Sequence, residues 1–123
     1  MSLKVTSKEK QSGVFVLYLI GSLDTNTYYT LENRVKLIFE GHPKLIIFDM
    51  EELEYISSMG VRVILQAQKE MKKRDGSIKM MNMKTQVQKV FEIIYSLPAD
   101  QVFGSQEEMD SYLDKIQKKV MEE

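Results

Sequence analysis

At 123 residues, with 43% hydrophobic and 28% charged residues, the chain has the make-up of one soluble globular domain spanning residues 1–123. A formal charge of −1, mixed along the chain, excludes an electrostatic nucleic-acid binder, which needs a basic stripe. The absence of cysteine excludes disulfides and thiolate metal sites.

"MSLKVTSKEK" lacks the apolar core of a secretory leader. The longest apolar stretches, Val14 to Ile20 and Leu45 to Phe48, fall far short of the ~20 residues that span a bilayer. A cytoplasmic protein without a membrane partner is expected.

Lys4 to Ser7 reads as a short first strand, and Gln11 to Gly13 as a turn. The β-branched and aromatic run Val14 to Ile20 predicts a buried strand, joined to the first as a hairpin. Asp24, Thr25 and Asn26 are each suited to cap the helix that follows, because their side-chain oxygens accept orphan N–H groups. Leu31, Val35, Ile38 and Phe39 then recur at helical spacing, and Gly41 and Pro43 stop the helix.

"KLIIFDM" predicts a central strand over Leu45 to Phe48, covered on both faces, with "MEELEY" as a connection after it. The next helix starts near Ser58, buries Val61, Ile64, Leu65 and Met71, and ends at Asp75-Gly76. "SIKMM" predicts a further strand, and Thr85 to Tyr95 a helix with Val87, Val90, Phe91 and Ile94 on one side. "SLPAD" reads as a loop and Val102-Phe103 as a brief edge strand. Ser105 and Glu108 form a capping box for a last helix with the apolar stripe Met109, Tyr112, Leu113, Ile116 and Val120. The fold class is α/β: a mixed sheet of four to five strands with about four helices, in β-β-α-β-α-β-α-α order.

Ser57 and Ser58 fall where the Leu45 strand gives way to a helix, at the sheet edge where α/β proteins gather their sites. Two readings stay open. One serine caps the helix and does no more, or the positive helix end holds a phosphate and the serine carries it. A Ser-His-Asp arrangement is not expected, because the single histidine, His42, precedes a strand that Ser58 follows. No P-loop or dinucleotide fingerprint is present, so no cofactor is expected. The carboxylates Asp24 and Asp49 suggest a rival in which a receiver-like domain is phosphorylated on Asp49 around a bound Mg²⁺. No adjacent acidic pair follows the first strand to support it.

"LIGSLDTNT" (Leu19 to Thr27) and "LIIFDMEELEYISSMGVRVIL" (Leu45 to Leu65) give the chain a resemblance to the STAS domain, specifically to stand-alone bacterial anti-sigma factor antagonists. The likeness runs over nearly the whole length and includes the late Phe103. It implies a regulatory binding module with no catalytic activity and no resident metal. Its partners would be an anti-sigma factor that is also a serine kinase, and a serine phosphatase. The unphosphorylated form would sequester the anti-sigma factor and so release a sigma factor.

The resemblance places the phosphoacceptor on Ser58, with Ser57 as second choice. Asp24, Thr25, Asp49, Ser57, Met59, Gly60 and Arg62 would form the switch surface. The chain departs from the family where Ser57 stands in place of an aspartate, Met59 in place of a small residue, and Arg62 in place of a glycine. Arg62, four residues after Ser58, is either a phosphate partner or part of a solvated helix face. A constitutive STAS scaffold that is never phosphorylated is the remaining alternative. The switch requires the Ser58 hydroxyl to stand open at the helix mouth.

Overall fold

A computed structural model describes residues 2–96 and 103–123. Its strands are β1 (Leu3–Gln11), β2 (Val14–Leu23), β3 (Leu45–Ile56) and β4 (Ser77–Met81). Its helices are α1 (Tyr28–Glu40), α2 (Ser58–Lys73), α3 (Thr85–Ser96) and α4 (Gln106–Met121). The four strands form one mixed sheet in the order β1-β2-β3-β4. β1 and β2 are an antiparallel hairpin turning at Gly13, whose φ of 79° is the left-handed conformation that favours glycine. β3 lies parallel to both β2 and β4. α1 packs on β1 and α2, α2 on β3, β4 and α4, and α3 on β3 and α4.

The predicted alternation is therefore present, and the corrections concern element ends. The sheet has four strands among the described residues. Val102 lies outside them, as does the "SLPAD" loop beyond Ser96. Phe103 is not in a strand; it sits just before α4, with its ring 5.5 Å from that of Tyr112. The β3 face bearing Ile46 and Phe48 is sealed, whereas Leu45 and Ile47 are only half-buried, so the strand is not covered equally on both sides.

The largest correction is the length of β3. "MEELEY" is not a connection but the second half of the strand. Between Asp49 and Glu52, and again at Glu54, β3 carries one residue more than β2 opposite it. Such bulges displace the side-chain alternation. Fully buried residues accordingly fall at Ile46, Phe48, Met50, Leu53 and Ile56, two residues apart and then three. Glu51, Glu52 and Glu54 are all exposed. Asp49, expected at a strand end, lies mid-strand; its Oδ1 accepts the Glu51 N–H at 3.1 Å, and the Asn82 amide donates to it at 3.2 Å.

Candidate functional site

β4 accompanies β3 only as far as Asp49. Beyond that point two buried glutamines take over the open edge. The Gln86 amide of α3 donates to the Glu54 carbonyl at 3.1 Å. Gln117 of α4, fully buried, copies a strand: its Oε1 accepts the Ile56 N–H at 2.9 Å and its Nε2 donates to the Ile56 carbonyl at 2.8 Å. Both polar groups of Ile56 are thus satisfied by a residue 61 positions later, which fixes where β3 ends and α2 begins.

At that junction Ser57 is the N-cap of α2. Its backbone is extended (φ −97°, ψ 173°), and its Oγ accepts the Gly60 N–H at 3.3 Å. Its own N–H donates to the Leu23 carbonyl at 2.9 Å, tying the turn to the end of β2. Gly60 is needed for that approach, since a Cβ there would lie 2.7 Å from Leu23 Cγ and 2.9 Å from Ile56 Cγ1.

Against the expectation of an open hydroxyl, Ser58 is only 8% exposed, and its Oγ is buried without a hydrogen-bond partner. The backbone N–H of the same residue is held from far along the chain, by α4. Asp110 Oδ1 accepts the Ser58 N–H at 2.9 Å, so a carboxylate already occupies the positive end of α2. α4 meets this edge with polar side chains as well as its apolar stripe, from which Met109 packs against the core. Of that stripe Leu113 is fully buried, whereas Tyr112 is exposed. Asp110, Asp114 and Gln117, near one another at helical spacing, make the polar contacts with the end of β3. Beside them, burial together with Asp114, Asp110 and Asp24 pushes the Tyr55 hydroxyl up to about 12.

The other predicted residues divide into two groups. Asp24 is next to Leu23 and so belongs to this edge, but it does not cap α1, nor do Thr25 or Asn26. The N-cap is Thr27, whose Oγ1 donates to the Ser22 carbonyl at 2.8 Å and accepts the Asp24 N–H at 2.9 Å. Asp24 Oδ1 instead accepts the N–H groups of Asn26 and Thr27 in the turn before the helix. Thr25 is exposed on that turn. Met59 is half-buried and Arg62 exposed. With Ser58 they line a groove of about 660 Å³ between α2 and the start of α4, walled also by Leu65, Phe103 and Met109.

Asp49 stands apart. It lies seven positions before Ile56 along β3, roughly 20 Å at strand rise. Asp24 and Asp49 therefore do not converge on a common cation, and the described residues contain no group of three or more carboxylate or imidazole side chains placed to hold one. Sequence reasoning missed Gln86, Asp110 and Gln117, whose roles depend on contacts across more than 30 positions.

Among proteins of known sequence, the chain is 28% identical over 99 residues to BtrV of Bordetella bronchiseptica, a protein named as an anti-sigma factor antagonist; the match covers 80% of this chain and 85% of that one. The fold superimposes on the anti-sigma factor antagonist SpoIIAA in its unphosphorylated form, with a TM-score of 0.63 and 24% identity over 73% of this chain and 83% of that one. The phosphorylated form of SpoIIAA, a Bacillus cell fate determinant, matches with the same TM-score and identity over 74% and 83%. An anti-sigma factor antagonist from Mycobacterium paratuberculosis follows at 0.60 and 16% identity over 78% and 83%. The STAS domain profile matches residues 6–116, and the chain belongs to the STAS domain family.

Proposed function

We propose that this protein is an anti-sigma factor antagonist whose switch surface is the edge formed by the Asp24 turn and Ser57–Gly60, with Ser58 as phosphoacceptor. The observation that carries the reading is the position of the family's serine turn. It begins α2 at the carboxyl ends of β2 and β3, held there by Ser57 and Gly60. The naming of BtrV supports the partner class, an anti-sigma factor. An anti-sigma factor with serine-kinase activity would supply the phosphate and a serine phosphatase would remove it.

The chemistry of the switch is electrostatic. A phosphate adds about −1.5 to −2 charges. At Ser58 it would join Asp110, which already lies against the Ser58 N–H, and the further carboxylates around Tyr55. Accumulated like charge in a contact surface costs desolvation and repulsion. A penalty of ~2–3 kcal/mol weakens binding by roughly 30- to 150-fold, enough to exchange partners. Arg62, exposed one helical turn after Ser58 and lining the same groove, would offset part of that charge.

The deciding experiment incubates the protein with ATP and each kinase-type anti-sigma factor of its host. The phosphosite is then mapped by mass spectrometry, and affinity is compared before and after modification. Modification at Ser58 with weakened binding is expected. Binding without modification would instead establish the second reading, a constitutive STAS scaffold, which the sealed Ser58 hydroxyl favours. No binding at all refutes both.

A further inference from the structure

Ser58 does not present its hydroxyl to solvent. Its Oγ is buried and unpartnered, and the α2 terminus beside it is filled by Asp110. A phosphate on that oxygen would compete for the N–H at the α2 terminus that Asp110 already holds. Among the described residues, α4 is the element that reaches the α2 terminus with a side chain. Besides Asp110, α4 is fastened to this edge through the Gln117 amide on Ile56 and the fully buried Leu113.

We propose that α4 is a displaceable cover over the modification site, with Asp110 serving as an internal stand-in for the phosphate, so that docking of α4 and phosphorylation of Ser58 exclude each other. This rests on the reading of Ser58 as phosphoacceptor. Two consequences follow from the geometry. A kinase reaches Ser58 after the first turns of α4 lift. Once phosphorylated, the chain keeps those turns away, because a dianion and a carboxylate cannot share the α2 terminus. The modified protein therefore presents an altered surface, not merely an added charge. Burial first, and then Asp114, Asp110 and Asp24, hold the Tyr55 hydroxyl proton in place at this edge.

The test does not depend on a kinase. Phosphoserine is incorporated at position 58 during translation at a recoded stop codon. Amide hydrogen exchange across Gln106–Gln117 is compared with the unmodified protein. Loss of a hydrogen bond to a charged acceptor shifts a local opening equilibrium by roughly 10- to 100-fold, so exchange in α4 should accelerate by that factor while β1 and β2 keep theirs. Asp110→Asn, which keeps the shape and removes the charge, should return much of the lost protection to the phosphoserine protein. Should the phosphoserine chain fail to fold, Ser58→Asp supplies the same comparison with a smaller anion.

Unchanged α4 exchange in the modified protein, or acceleration that Asp110→Asn leaves untouched, would overturn the cover. Its failure is separable from failure of the phosphoacceptor reading. In that second case α4 still lifts when phosphoserine is installed, while kinase and ATP leave Ser58 unmodified even in Asp110→Ala.

Discussion

The two halves of β3 are built by different means. From Leu45 to Asp49 the strand has main chain on both edges, β2 on one side and β4 on the other. From Met50 to Ile56 β2 continues, but the opposite edge is completed by the side chains of Gln86 and Gln117, and the strand bulges twice. A ladder of peptide groups opens with the sheet as a whole. A side-chain amide can leave when its helix leaves. The first half is thus scaffold, and the second couples the serine turn to the docking of α3 and α4.

Substitutions can break this contrast. The largest effect is expected in the first half: Phe48→Ala, which empties a fully buried site, should cost about 3–5 kcal/mol in urea-induced unfolding and leave the transition cooperative. Gln117→Ala comes next. It strands both polar groups of Ile56, about 2 kcal/mol together at the lower end of the cost of an unsatisfied group. Its hydrogen exchange should rise first in α4 and the β3–α2 junction, whereas Phe48→Ala should affect the sheet throughout.

The adjacent serines sharpen the comparison further. Ser57→Ala removes the α2 cap and should cost about 1 kcal/mol. Ser58→Ala removes a buried hydroxyl without a partner, so it should be neutral or slightly stabilising. A loss at Ser58 equal to that at Ser57 would contradict the environment assigned to it.

The smallest effect concerns Tyr55. A phenol raised from 10.0 to about 12 keeps its proton more firmly in the folded chain. Its contribution to stability is complete below pH 10 and is lost as pH rises toward 12. In an ultraviolet titration, Tyr55→Phe should remove a component that ionises near pH 12.

Much of the architecture was legible because its signals are local. The Val14 to Ile20 run, the glycine and proline stops, and the Ser105 cap each act within a few positions; Ser105 Oγ accepts the Glu108 N–H at 3.1 Å as expected. Even there Glu108 reaches back to Gly104, not to Ser105. The second half of β3 was illegible for two reasons. Glutamates are poor strand formers, and buried residues three apart imitate a helix. The serine pair could be read from its position, since one serine caps α2. That the Ser58 N–H is taken by Asp110, 52 positions away, is carried by no local pattern. Gln117 was hidden inside an apparently apolar stripe, where an amide gives no sign of copying a strand.

The bulges of β3 also say where the gene can change length. The extra residue at each bulge, Glu51 or Glu54, has no counterpart on β2, so deleting either one would remove that bulge, leave the other, and keep Leu53 and Ile56 facing inward. The same deletion between Leu45 and Phe48 would turn every later side chain to the wrong side.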